Sequence, residues 1–338
     1  MIKNMLILAC SILIFFSFSS CTEINNITNE VIDTSATPDT KEEKYYNYYT
    51  GIECSKEEVN NFAFMTIIEN SSAARPQSGI SSADILFETL AEGGIPRFLA
   101  LFSTNFPSII GPIRSIRPYF IDIVKEFNLP VAHCGGSTEA LSTINNDSSI
   151  ISINEINYGS YFWRDSKRKA PHNLYTSSDN IKKYISNKDI NITKSQFVSF
   201  DDNFFNNSNL QPASNIEIQI NKTYNTSYEF KDNLYYKFMN SEKAMDALNN
   251  SQINFSNIII QKTPITLCSD NSHLNIPIIG KGEGIVFSKG KMINITWKKN
   301  SLDSKIVLLD KDGNSVALSP GKTMWNIVDT KTKIKITK

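Results

Sequence analysis

Six arginines stand in the 338-residue chain beside 28 lysines, and five of them (Arg97, Arg114, Arg117, Arg164 and Arg168) fall between residues 97 and 168. A guanidinium is a planar fork that grips a carboxylate or phosphate through two parallel hydrogen bonds, which an ammonium cannot do. Arginine used sparingly and in one stretch points to anion recognition. Salt bridges to Asp84, Glu88, Glu92, Asp122 or Asp165 are the plainer alternative. Two of the three histidines, His133 and His172, lie in the same half, and an imidazole that titrates near neutrality can act as a general acid–base. His133, His172, Glu92 and Asp165 form the candidate catalytic set, with either acid orienting a histidine. The same four could hold zinc, but no CxxC or HExxH spacing supports a metal, and neither metal nor cofactor is predicted. Cys134 beside His133 could be a thiolate at a helix N-terminus, although buried cysteine is the commoner fate. Ser137 is explained by helix capping without nucleophilic chemistry.

The densest run of special residues is 111–137, GPIRSIRPYFIDIVKEFNLPVAHCGGS. Pro118 suits the first turn of a helix, where its missing N–H has no role, and Phe120, Ile121, Val124 and Phe127 recur at helical spacing. Leu129 to Ala132 reads as a short buried strand. After it, Gly135, Gly136 and Ser137 form a turn into a second helix reaching Asn145, with Ser137 as its cap. Strand, glycine turn and helix N-terminus present backbone N–H groups to an anion. The predicted ligand shell is Arg97, Arg114, Arg117, Gly135, Gly136, Ser137, Arg164 and Asn173.

Around this run, FAFMTII (62–68) reads as a strand. The segment 84–103 reads as a β-hairpin turning at Glu92-Gly93-Gly94, with a helix over 82–91 as the competing reading. Ile150 to Ile153 reads as a strand, 161–177 as a polar, basic loop with aromatics, and 179–186 as a helix. Beyond a linker at 206–215 the sequence alternates strand-like runs with turn residues, with one helix near 242–248. The fold class is therefore a mixed α+β or α/β N-terminal domain followed by a β-rich C-terminal domain.

Lysine plus arginine equals aspartate plus glutamate at 34 each, so there is no long-range field for nucleic acid, and none is predicted as a partner. Residues 1–20 read as a lipoprotein signal peptide: Lys3, an apolar run too short for a comfortable membrane span, and FSSC ending at Cys21. Cys21 is the predicted lipidation site and membrane anchor, followed by a polar tether over 21–50. The N-terminal domain is placed at 51–205 and the β-rich domain at 206–338. Cys54, Cys134 and Cys268 are too few and too scattered to imply a disulfide framework.

The strings ARPQSG (74–79), EGGIPRF (92–98), GPIRSIRPYF (111–120), HCGGS (133–137) and APHNLYTS (170–177), with LSPGKTMW in the second half, resemble the YerB-like bacterial lipoproteins, two domains of unknown function found in Gram-positive envelopes. The resemblance implies an exported, membrane-anchored protein on the extracytoplasmic face, and it brings no activity with it. The predicted function is an Arg/His-lined cleft for an anionic envelope ligand or peptidoglycan-related polymer, with the C-terminal domain available to a protein partner. The alternative is an envelope hydrolase or transferase using His133 or His172. A structural or regulatory partner whose polar cluster is an internal salt-bridge network is a third.

Overall fold

A computed structural model describes residues 43–338; the expected signal peptide, Cys21 and the tether as far as residue 42 lie outside the described residues. Residues 44–338 form one compact unit. Its principal sheet has eleven strands and draws them from both sides of the boundary expected near residue 206. Nine run in the order Lys291–Lys299, Gly280–Ser288, Asn257–Thr263, Thr323–Asp329, Ile85–Leu90, Pro96–Phe102, Phe64–Glu69, Val131–His133 and Ser152–Asn154. Short strands at 211–212 and 307–309 both pair with Lys291–Lys299. A second, six-stranded antiparallel sheet is built from 215–219, 225–231, 234–239, 242–243, 254–255 and 333–337. The N-terminal half is mixed and the C-terminal half β-rich, as the patterning predicts.

Strand alternation decides what each face of the main sheet carries. Met65 and Ile67, with Leu99 and Leu101, pack with Phe120, Val124 and Phe127 of the helix Pro118–Phe127. Phe64 and Ile68, with Phe98 and Ala100, pack with Ile216, Ile218, Tyr228 and Tyr235 of the second sheet. The helix starts at Pro118 and ends at Asn128, which takes the left-handed conformation (φ +50°). Thr138–Asn146 is helical, with the Ser137 hydroxyl capping the Ala140 N–H at 3.2 Å, and Ser178–Asn187 is helical as expected.

The hairpin reading of 84–103 holds, and the competing helix over 82–91 does not form. Ile85–Leu90 pairs antiparallel with Pro96–Phe102 around Gly93 and Gly94, both at positive φ. On its other edge Ile85–Leu90 pairs parallel with Thr323–Asp329, so tertiary strand pairing overrides the helical preference of Leu, Glu and Ala. The helix expected near 242–248 is also absent. Glu242–Lys243 is a short strand. The Asp246 carboxylate, fully buried, instead accepts from the N–H groups of Gly79 (2.9 Å) and Ser81 (2.8 Å), bonds that a solvent-facing helix could not make. The end of the tether joins the fold: Tyr49 is 1% exposed in the core, and Asn47 Oδ1 accepts the Tyr49 and Thr50 N–H groups.

Candidate anion site at the carboxyl end of the sheet

Phe64–Glu69 and Pro96–Phe102 are paired so that Glu69 stands opposite Arg97. Period-two alternation puts both on the face covered by the helix Pro118–Phe127. The segment 110–117 runs across this end of the sheet, with Ile113 bridged to Ile68 and the Arg114 N–H bonded to Ile67 O. That crossing requires glycine at 111. Its φ is +152°, and a Cβ there would lie 2.8 Å from both Leu174 O and Tyr175 Cδ1. Three guanidiniums therefore converge where Phe64–Glu69 and Ile85–Leu90 end, the carboxyl edge where α/β sheets bind ligands.

The three are not equivalent. Arg117 forms a fork with Glu92, its Nε on Oε1 and its Nη2 on Oε2 at 2.7 Å, and its Nη1 donates to Ile116 O at 2.8 Å. Arg97 donates to Ser115 O at 2.7 Å and lies 3.6 Å from Glu92. Burial, then the neighbouring charge of Arg117, pushes the Arg97 pKa down, while Tyr119 and Glu92 oppose. Among the described residues the Arg114 guanidinium makes a single hydrogen bond, from Nη2 to Glu69 Oε1 at 2.9 Å, and the side chain is 26% exposed. Its Nε is buried without a partner among the described residues.

Glu69 is the hub. Its Oε1 also accepts from Ser71 Oγ at 2.6 Å and lies 2.8 Å from His172 Nδ1. Burial alone would raise this carboxyl. Hydrogen bonds from Arg114, Ser71 and His172, with the charge of Arg114, outweigh it and hold the group below its ordinary value. Behind it a polar seam runs inward. Gln77 Nε2 donates to Glu69 O and Asn70 Oδ1, and Asn70 donates to Glu88 Oε1 at 2.7 Å. Glu88 Oε2 accepts from Lys237 Nζ at 2.7 Å, with Lys237 wholly buried between the sheets.

The remaining predicted residues divide. Arg164 is half exposed, donates to Asn173 Oδ1 at 3.0 Å and lies 3.9 Å from Glu155. Arg168 donates to the carbonyls of Ala74 (2.8 Å) and Pro76 (2.6 Å), pinning the 164–172 loop. His133 is away from this surface. It is 0% exposed, with Nδ1 2.8 Å from Gly135 O and Nε2 2.7 Å from Ser152 Oγ, and burial pushes its pKa down to about 4. It is a neutral core histidine at neutral pH. Gly135 donates to Asn154 Oδ1 and Ser137 to Ile116 O, so the chain itself fills that turn. A Cβ on Gly136 would meet Ile116 Cγ2 at 3.1 Å. Asp165 accepts the Lys167 N–H at 2.8 Å rather than orienting a histidine, and Glu92 serves arginines. Burial first, then Glu155, raises the Cys134 thiol to about 11, the reverse of a reactive thiolate. Among the described residues no three of His, Cys, Asp and Glu come together as a metal site, the three cysteines are free, and no helix is long and apolar enough to cross a membrane.

Glu69 escaped sequence reading because it closes an apolar strand with nothing around it to mark it. The signal was the strand itself: its other five residues are FMTII, and a lone carboxylate at the end of such a run needs a cationic partner once folded.

The fold and this paired cluster define a two-part α/β protein whose halves share one sheet. The description "Protein of unknown function (DUF3048) N-terminal domain" matches residues 49–191, and its C-terminal counterpart matches 215–325. The chain belongs to this family. It is 30% identical over 325 residues to the Bacillus subtilis protein named "Putative lipoprotein YerB", covering 93% of this chain and 92% of that one. The crystal structure of YerB protein from Bacillus subtilis superimposes with a TM-score of 0.77 at 30% identity, covering 86% of this chain and all of that one.

Proposed function

We propose that this is an exported, lipid-anchored envelope protein that binds an anionic group, the carboxylate or phosphate of a cell-wall polymer, at Arg114, His172 and Arg164. The anchor reading rests on the segment ending at Cys21 and on the relative's name. The ligand reading rests on one observation above the others. The Arg114 guanidinium has five N–H donors; among the described residues one is spent on Glu69, and Nε is buried, which leaves three on Nη1 and Nη2. Arg97 and Arg117 supply positive potential behind it, so three guanidiniums face two carboxylates, Glu69 and Glu92.

Residues 22–338 contain the whole compact unit and serve for the test. Titration with inorganic phosphate, muropeptides and teichoic-acid fragments should give saturable binding that Arg114→Ala weakens about tenfold or more. Equal affinity in the variant overturns the assignment.

A second reading, an envelope hydrolase or transferase, is favoured by the 2.8 Å His172–Glu69 pair, in which a carboxylate orients an imidazole and leaves Nε2 without a hydrogen bond among the described residues. Here Glu69 takes the orienting role expected of Glu92 or Asp165. His172→Asn would then abolish turnover of a wall fragment while leaving its binding intact. Absence of turnover in the wild-type protein across those fragments removes this reading.

A further inference from the structure

The Arg114–Glu69–His172 cluster occupies one end of the parallel strands, and a cavity of about 710 Å³ occupies the other. Asp84 precedes Ile85–Leu90, Ser256 precedes Asn257–Thr263, Lys322 precedes Thr323–Asp329, and Ser103 follows Pro96–Phe102. Strand order brings these four positions to one rim, tied by the bonds Thr323 N–H to Asp84 O and Ser256 N–H to Lys322 O. Gly321 keeps the rim narrow, at φ +138° with room for no Cβ against Ser256.

The wall chemistry is specific. Asp84 is 1% exposed, and its Oδ2 accepts from the Ser103 N–H (2.6 Å), the Ser103 hydroxyl (2.9 Å) and the Thr104 N–H (2.9 Å); the Thr104 hydroxyl donates to Oδ1. Both hydroxyl protons are thereby committed to Asp84; the Ser103 oxygen also accepts from Asn47 Nδ2 at 3.0 Å and the Thr104 oxygen from Asn105 Nδ2 at 3.2 Å, so each keeps one lone pair as an acceptor. Among the described residues Lys322 Nζ donates to Ser81 O alone, at 3.0 Å, which leaves two donors for a ligand. Twelve of the twenty lining residues carry a neutral hydroxyl or amide. Ile52 and Leu234 are the lining residues with large aliphatic side chains, too little surface for a lipid or for the side chains of a peptide. Glu53, Glu58 and Asp84 outnumber Lys322, so the cavity does not attract an anion. What fits is an uncharged molecule that carries donors and acceptors beside apolar C–H faces, in a volume within the usual range of about 300–1,000 Å³ for ligand pockets.

We infer that this cavity is a second binding site, for a neutral oligosaccharide bearing hydroxyl and acetamido groups. It is independent of the anion site, and the two are tested separately.

The experiment is calorimetric titration of residues 22–338 with N,N′-diacetylchitobiose, cellobiose and trialanine. Saturable binding of diacetylchitobiose is expected, weakened about tenfold or more by Ser82→Trp, which fills the cavity, and by Lys322→Gln, which removes the charged donor. Arg114→Ala should leave it unchanged. Thermal unfolding reports whether each variant is folded, and if Lys322→Gln is not, Ser82→Trp decides. The inference is overturned by no saturable sugar binding, by binding of trialanine alone, or by sugar binding that the folded cavity variants leave intact. Equal affinity for cellobiose overturns the acetamido part.

Discussion

His172 Nδ1 and Glu69 Oε1 lie 2.8 Å apart across 103 residues of chain, and the same oxygen also accepts from Arg114 and Ser71. One carboxylate oxygen thus fixes the loop 164–172, the crossing segment 110–117 and the end of a central strand. Its partners hold the Glu69 carboxyl below its ordinary value of 4.5 despite burial. A carboxylate depressed in the folded state stabilises the fold above its unfolded pKa, and that stability is lost as pH falls through the folded value. Arg114→Ala removes the first-named of those partners. It should move the acid-unfolding midpoint to higher pH, followed by tryptophan fluorescence, and in a Glu69→Gln background it should move it little. An unchanged midpoint in the single variant would contradict the hub.

His133 should make the fold sensitive to mild acid. Its pKa is about 4 folded against an ordinary 6.5, so the unfolded chain binds the extra proton between those values and stability falls as pH falls. The expected loss is about 2 kcal/mol between roughly pH 7 and pH 5. Urea unfolding at the two pH values measures it, and His133→Gln should flatten the dependence whatever its effect on stability at neutral pH.

Lys237 and Glu88 join the two sheets. Lys237 Nζ reaches Glu88 Oε2 (2.7 Å), Tyr228 OH (3.0 Å) and the Thr226 hydroxyl, all out of water. Lys237→Met strands a buried carboxylate and should destabilise by about 3–5 kcal/mol. Pairing it with Glu88→Gln should recover part of that loss, because the neutral amide removes the stranded charge and can still accept from Asn70. Additive losses in denaturant unfolding would refute the pairing.

Gly111→Ala should destabilise the fold by more than about 1 kcal/mol, since the position combines φ +152° with backbone and ring atoms 2.8 Å from the new carbon. The same change displaces the segment carrying Arg114. A drop in thermal midpoint together with weakened phosphate binding is expected, and an unaltered midpoint would count against the required close approach.

Local pattern determined much of this protein. The apolar, strand-forming runs at 64–69 and 96–102, the helical spacing of Phe120, Val124 and Phe127, the Ser137 cap and the glycine turn at 93–94 are short-range signals, and each element they announce is present. The scarcity of arginine picked out Arg97, Arg114 and Arg117, and register with the crossing segment brings them together. Which of them is free to bind was not legible, because it depends on acids distant in sequence: Glu92 occupies Arg117, while Glu69 leaves Arg114 most of its donors. His133 looked like His172 in sequence, and only packing separates them, one sealed beneath a helix turn and the other beside Glu69. The cavity around Asp84 was not legible, although Gly321 and Lys322 fall in LSPGKTMW, since its walls come from the starts of three strands that only the sheet order sets side by side. Sequence determines what a residue can do over one turn or one strand. Solvation and partner geometry, which choose among those capacities, are set by contacts between segments far apart in the chain.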